Sequence, residues 1–117
     1  MSNETAKATW RADDERLKIL MRYFFLCEQA FDRWDLQGIH TYLKSIRRVM
    51  AGKLSTRELD DVTKKMNELQ VLKDKTKNDR SAIMDFYNLS DEIYIILNTF
   101  GKEHGLFFGE REDDEGL

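Results

Sequence analysis

Histidine, cysteine, carboxylate and basic side chains could give this sequence a chemistry, and their spacing limits which one. His40 and His104 have no cysteine beside them and no second histidine three or four positions away, so neither fits a zinc motif. We expect both to be surface residues. Cys27 stands between Phe24 and Phe31 on the apolar side of a predicted helix, which indicates a buried, unreactive thiol. The sequence therefore predicts no cofactor, no metal site and no catalytic nucleophile.

Carboxylates with helical spacing are the remaining candidates for catalysis. They form two sets: Glu58 and Asp61 with Asp91 and Glu92, and Glu28 with Asp32 and Asp35. Such acids resemble those of the MazG-type nucleotide pyrophosphohydrolases, all-α enzymes that bind Mg²⁺ through carboxylates on facing helices, since a hard cation takes several oxygen ligands. The paired Glu-x-x-Glu and the later Glu-x-x-Asp of that family are not reproduced here. We predict that the protein is not an enzyme, and a Mg²⁺-dependent hydrolase is the third hypothesis.

A basic cluster lies on the second predicted helix and at its exit. It consists of Lys44, Arg47, Arg48 and Lys53. Cations on one side of a helix can follow a phosphate backbone. However, the chain has a net charge of −3, acids are interleaved with the later basic residues, and no helix-turn-helix spacing is convincing. A nucleic-acid-associated regulator that uses this cluster is therefore the second hypothesis.

The composition limits the class of protein that positions these side chains. A length of 117 residues fits one domain. The absence of proline favours helices joined by short connections. One cysteine excludes a disulfide framework within the chain, and no apolar run approaches the roughly 20 residues that span a bilayer. We expect a cytoplasmic protein with no membrane partner.

The first predicted helix covers residues 7–34 and is apolar on most sides. Its main apolar face repeats at intervals of three and four residues, through Leu17, Leu20, Phe24, Cys27, Phe31 and Trp34. A second face adds Ile19, Tyr23, Leu26 and Ala30. This pattern predicts that helix 1 is the central helix, with neighbours on most sides.

Local signals place the second and third helices. Asp35 is a plausible N-cap for a helix over 36–51, and Gly52 is expected to stop that helix in a left-handed conformation. Ser55 and Glu58 have the spacing of a capping box, which predicts a helix over 56–73.

The fourth helix is predicted over 79–100, with Gly101 at its end. Residues 73–80 contain no apolar side chain, so they form either a loop or the exposed middle of one long helix that joins helices 3 and 4. We favour a break, because eight consecutive polar residues have nothing to bury.

These elements predict an all-α, antiparallel up-and-down bundle of four helices, since short connections make consecutive helices antiparallel. The domain covers residues 1–109, with Leu106–Phe108 folding back onto the bundle. Residues 110–117 carry five acids and one arginine and are expected to be a disordered tail. Residues 36–82 have a net charge of +5 and residues 83–117 a net charge of −7.

Surplus apolar residues on helix 1 are the main functional signal. Tyr23, Phe25 and Trp34 exceed what one bundle helix buries, and aromatic residues are enriched at protein interfaces. They predict a protein interface, and the simplest arrangement is a two-fold homodimer. The first hypothesis is therefore a non-catalytic adaptor, assembly factor or regulator that binds itself and another protein.

Overall fold

The computed structural model describes residues 15–105, and that part of the chain is all-α. Its helices are α1 (Glu15–Asp32), α2 (Leu36–Met50), a 3₁₀ turn (Ala51–Lys53), α3 (Thr56–Lys75) and α4 (Ser81–Glu103). The predicted all-α class and the four helices are confirmed. The predicted start of helix 1 at residue 7, the cluster Leu106–Phe108 and the tail 110–117 lie outside the described residues.

Side chains that satisfy free backbone amides begin helices α2 and α3 where the sequence predicted. The Asp35 carboxylate accepts a hydrogen bond from the Gly38 amide at 2.9 Å. At α3 the Glu58 amide donates to the Ser55 hydroxyl at 3.1 Å, and the Ser55 amide donates to the Glu58 carboxylate at 2.9 Å. Each bond satisfies an amide that has no partner inside the helix.

Residues 76–80 separate α3 from α4, so the two helices are not continuous. The Thr76 amide donates to the carbonyls of Leu72 and Lys73, which closes the last turn of α3. The Asp79 carboxylate then accepts from the amide and the hydroxyl of Ser81, at 3.0 and 2.7 Å. The favoured break is therefore confirmed.

Two glycines do not end helices as predicted. Gly52 does not have a positive φ, and the chain continues through it as a 3₁₀ turn. Gly101 is buried inside α4, which runs on to Glu103, and the left-handed glycine is Gly105 (φ 66°). The reason is that α4 continues to pack on the bundle beyond Gly101, and tertiary burial outweighs the local preference of glycine.

Contacts between helices establish the up-and-down order. His104, just after α4, lies 2.7 Å from the Glu58 carboxylate at the start of α3. Tyr87, near the start of α4, donates to the Phe31 carbonyl near the end of α1 at 2.5 Å. Residues early in one helix thus meet residues late in the other, and both pairs of helices are antiparallel.

The central helix is α2, and the prediction that helix 1 is central is wrong. Helix α2 packs against all three other helices, whereas α1 packs along α2 and reaches α4 through long aromatic side chains. On α1 the second apolar face is not enclosed, since Ile19 stays 38% exposed. The largest fully buried side chains come from all four helices and include Leu20, Ile39, Leu43, Leu69, Phe86 and Leu97. None of the described helices is long and apolar enough to cross a membrane.

Candidate functional site

The end of α1 has an unusual backbone that presents Trp34 to solvent. The Trp34 amide donates to the Phe31 carbonyl at 3.2 Å, and the Asp35 amide donates to the Ala30 carbonyl at 2.9 Å. These are the two bonds of a Schellman motif, whose left-handed position is usually glycine. Here Trp34 occupies it with φ 57°. A left-handed non-glycine residue costs about 1–2 kcal/mol, so the rest of the structure must stabilise this turn.

The Trp34 indole is held by Tyr87 of α4. Their rings stack with centroids 4.1 Å apart and planes 21° apart. Tyr87 is fixed in turn by its hydrogen bond to the Phe31 carbonyl and by an edge-to-face contact with the Phe31 ring at 5.3 Å. Trp34 nevertheless remains 52% exposed. One face of the indole is therefore ordered by the protein while much of its surface stays open to a partner.

A row of aromatic contacts continues along the junction of α1 and α4. Tyr94 makes edge-to-face contacts with Phe24 at 5.4 Å and with Phe31 at 5.9 Å. The Tyr94 hydroxyl donates to the Glu28 carboxylate. Offset and edge-to-face aromatic pairs each add about 0.5–1.5 kcal/mol beyond the area that they bury. The junction is therefore a rigid surface.

Carboxylates line the same junction. Glu28 and Asp32 lie one turn apart on α1, and Asp91 lies one turn after Tyr87 on α4. Together with the aromatic residues they enclose an open cavity of about 330 Å³, lined by Glu28, Phe31, Asp32, Tyr87, Asp91 and Tyr94. We call this cavity the acidic aromatic groove. Among residues 15–105, three acids and no basic residue line it.

The surroundings of the groove raise the pKa of its two tyrosine hydroxyls. Burial, followed by the nearby carboxylates of Asp32 and Asp91, raises the pKa of Tyr87. Burial, followed by the hydrogen bond to Glu28, raises the pKa of Tyr94. Both phenols therefore stay protonated at neutral pH, and the negative charge of the groove belongs to its carboxylates. Carboxylates beside aromatic faces attract organic cations through charge and cation–π contacts.

The structure separates the three predicted interface residues. Phe25 is 58% exposed and lies on the same stripe of α1 as Glu28 and Asp32, although it does not line the groove. Tyr23 instead packs beside Tyr42 of α2, with ring centroids 6.4 Å apart, and is only partly exposed. Phe25 and Trp34 are therefore on the surface and Tyr23 is partly covered, and the interface itself stays a prediction.

The tyrosines and acids of the groove were not grouped by the sequence analysis. Glu28, Asp32 and Asp91 were considered only as ligands of Mg²⁺, and neither Tyr87 nor Tyr94 was assigned to a site. A usable signal was present, since Tyr87, Asp91 and Tyr94 have the spacing of one helical stripe.

The predicted nucleic-acid contacts also divide into two places. Lys44, Arg47 and Arg48 line a second cavity, between α2 and α3, together with His40. Lys53 belongs to the 3₁₀ turn and does not line that cavity. The prediction that His40 is a surface residue is wrong, because its side chain is turned towards α3 and only 3% of it is exposed.

The carboxylates that suggested Mg²⁺ have structural roles where their contacts are seen. Glu58 caps α3 and contacts His104, and its hydrogen bond with the Ser55 backbone is the main cause of its lowered pKa. Asp35 caps α2, and Glu92 forms an ion pair with Lys65 at 3.0 Å. Among residues 15–105, no three histidine, cysteine or acidic side chains are placed to hold a metal ion.

Cys27 lies in the core, as predicted. Its side chain is fully buried, and burial, with a smaller effect of Glu28, raises the pKa of the thiol to about 12. The thiolate is the reactive form, so this cysteine is inert at neutral pH.

The use of the acidic aromatic groove has to be inferred from its own residues. Its contacts are set by α1, α4 and the turn at Trp34, and no relative supplies a function. No protein-family model, curated protein or solved structure matches this chain.

Proposed function

We propose that this protein is a non-catalytic interaction protein, acting as an adaptor, assembly factor or regulator, and that it binds a cationic side chain of a protein partner in the acidic aromatic groove. The observation that carries the proposal is Trp34, which is left-handed, half exposed and stacked on Tyr87, a residue that lines the groove. A strained and ordered aromatic residue on the surface contributes little to the core. It is suited to bind something from solution.

The charge of the groove supports a cationic occupant. Within residues 15–105 no basic side chain forms an ion pair with Glu28, Asp32 or Asp91. These carboxylates can therefore pair with a partner's charge without breaking an ion pair within residues 15–105. Arginine fits better than lysine, because its planar guanidinium stacks on aromatic rings and binds carboxylates through two hydrogen bonds. Phe25 and Trp34 then offer apolar contacts on either side of that charge.

The homodimer predicted from helix 1 remains a separate proposal. A two-fold pairing through the groove would place Asp32 and Asp91 of one chain against the same acids of its copy, and like charges oppose such pairing. Self-association can instead use Phe25 at the rim. We therefore assign the groove to a cationic partner and treat a second copy as an outcome of the test. We also propose the cytoplasm as the compartment, since the single thiol forms no disulfide.

A peptide titration tests the groove directly. In a Trp10→Phe background, Trp34 is the only tryptophan and reports binding through its fluorescence. The probe is a designed helical peptide of alanine, leucine and arginine, and its control carries glutamine at each arginine. We expect the arginine peptide to shift the Trp34 emission saturably and the glutamine peptide to leave it unchanged. Equal effects of the two peptides would contradict the proposal.

Variants in the groove identify the charges that bind. Asp32→Asn with Asp91→Asn removes two carboxylates with little change in shape, and we expect it to weaken peptide binding by about tenfold or more, the loss of a charge-assisted hydrogen bond. Asp60→Asn on α3 is the matched control, since Asp60 is an exposed acid that does not line the groove. An unchanged affinity in the double variant would overturn the assignment.

Sedimentation equilibrium tests the second copy. If the mass rises with concentration towards twice 13.9 kDa, and Phe25→Glu abolishes this rise, the protein is a dimer through helix 1. That result combined with no response to the arginine peptide would replace the cationic partner by a second copy. A monomer that binds the arginine peptide supports the proposal as stated.

A further inference from the structure

A second groove lies between α2 and α3, away from the acidic aromatic groove. His40, Lys44, Arg47 and Arg48 share one stripe of α2, and Thr63, Asn67 and Gln70 share the facing stripe of α3. The cavity between the stripes has a volume of about 290 Å³, with Met66 at its base. Hydrogen-bond donors from both helices therefore converge on one space.

Arg47 is held in place by Thr63. Its Nε and Nη2 atoms donate to the Thr63 hydroxyl oxygen at 3.1 and 2.9 Å. Because that oxygen accepts both bonds, the hydroxyl proton is left to be donated elsewhere, and the guanidinium retains further N–H groups. Arg47 and Thr63 are therefore ordered before any ligand arrives, which reduces the entropy lost on binding.

The part of the chain that the structure describes does not neutralise the cations of this groove. Within residues 15–105 no carboxylate forms an ion pair with Lys44, Arg47 or Arg48. Asp74, an acid that acts on His40, accepts a hydrogen bond from Gln70 at 3.2 Å. Positive charges on one stripe repel one another, and a bound anion removes that repulsion.

His40 forms the inner wall of the groove. Its side chain is only 3% exposed, and it lines the cavity beside Lys44 and Arg47. Burial, and then the positive charges of Lys44 and Lys73, lower its pKa, so the ring is neutral at pH 7 and one nitrogen carries a proton. A ligand oxygen in the groove is a suitable acceptor for that N–H group.

We propose that the groove between α2 and α3 is a binding site for a phosphate group. Phosphate offers several acceptor oxygens and up to two negative charges, which match two arginines, a lysine, a hydroxyl and an imidazole. A volume of about 290 Å³ is sufficient for that group. The site uses other helices than the acidic aromatic groove, so it does not depend on the proposed partner.

Phosphate can come from a free ion, a small phosphorylated molecule or a nucleic-acid backbone, and the test separates these sources. Inorganic phosphate, a nucleoside monophosphate and a short single-stranded DNA are each titrated at constant ionic strength, with chloride as the reference. Binding is followed by the ³¹P signal of the probe and by the melting temperature. We expect inorganic phosphate or the monophosphate to bind saturably and to raise the melting temperature above that in chloride.

Variants locate the site. We expect Arg47→Gln and Arg48→Gln each to weaken phosphate binding by about tenfold, the effect of losing one charge-assisted hydrogen bond. Arg48 is exposed, so Arg48→Gln keeps the test valid if Arg47→Gln fails to fold. Lys64→Gln is the control, because Lys64 is an exposed cation of α3 that does not line the groove.

Three outcomes would overturn the proposal. If chloride protects as well as phosphate, or if Lys64→Gln weakens binding as much as Arg48→Gln, the groove has no specific site. If DNA binds with a steep salt dependence while neither inorganic phosphate nor the monophosphate binds, the basic stripe follows a backbone and is not a pocket for one phosphate. Saturable binding of either small probe, lost in Arg48→Gln and retained in Lys64→Gln, supports it.

Discussion

The left-handed backbone at Trp34 makes a quantitative prediction. Trp34→Gly and Trp34→Ala remove the same indole and the same stacking on Tyr87, so the difference between them isolates the backbone at φ 57°. The left-handed conformation costs alanine about 1–2 kcal/mol of folding free energy. Glycine costs about 0.5–1 kcal/mol because its unfolded chain has more conformational entropy to lose. We therefore expect Trp34→Gly to be the more stable variant, by about 1 kcal/mol.

Urea unfolding and thermal melts followed by far-UV circular dichroism measure this difference, which corresponds to about 4 °C in melting temperature for a domain of this size. Gly52 provides the matched control. Its φ is not positive, and a Cβ added there meets nothing within 4 Å. Gly52→Ala should therefore stabilise the protein by about 0.4–1 kcal/mol. Alanine is thus expected to be the more stabilising residue at position 52, and glycine the more stabilising residue at position 34.

The refuting result is simple to recognise. If Trp34→Ala is as stable as Trp34→Gly, the turn after α1 does not impose a left-handed residue. The strained presentation of the indole, on which the proposed function depends, would then be wrong. Both variants should also lose binding of the arginine peptide, since neither retains the aromatic face.

Three further predictions concern stability. Gly38→Ala would place a Cβ 2.4 Å from an Asp35 carboxylate oxygen, so we expect the N-cap of α2 to be lost and urea unfolding to show a destabilisation of about 1–2 kcal/mol. The pKa of Glu58 is lowered in the fold, so its stabilisation is complete above the usual glutamate pKa of about 4.3 and is lost as pH falls through the folded value. Glu58→Gln keeps an S-x-x-Q capping box, so its melting temperature should fall less over that acid range, and an equal fall would contradict the assignment. Leu43→Ala, at a fully buried position of the central helix, should cost about 2–5 kcal/mol in urea unfolding, whereas Val71→Ala, 56% exposed, should change stability by less than about 0.5 kcal/mol.

The two grooves give a structural meaning to the uneven charge of the chain. The basic stripe of α2 lies in the segment with a net charge of +5, and it faces α3. The acids of the other groove come from α1 and α4, which pack together without a basic residue lining the cavity between them. Within the described residues, opposite charges are thus placed on different pairs of helices.

Features that depend on a few neighbouring residues could be predicted from the sequence. The Ser55 capping box, the Asp35 cap and the break between helices 3 and 4 were all correct, because each is decided by hydrogen bonds or polarity within a short stretch of the chain. The break covers only residues 76–80, since α3 runs on to Lys75. Gly52 and Gly101 show the limit of the same reasoning. At Gly101 the packing of α4 outweighed the local preference of glycine, whereas at Gly52 the chain forms a 3₁₀ turn in which no residue is buried.

Features that depend on which helices meet were decided by the tertiary structure. The sequence indicated the amphipathic faces, but it did not show that α2 would be central, that His40 would be buried against α3, or that Tyr23 would turn towards Tyr42. Nor did it show that acids from α1 and α4 would share one groove, since periodicity orients a side chain about its own helix and not towards a neighbour. The sequence by itself determined the helices, their caps and the apolar surplus on helix 1. The packing of those helices decided which part of the surplus is buried and which part, with Trp34 and Phe25, remains on the surface.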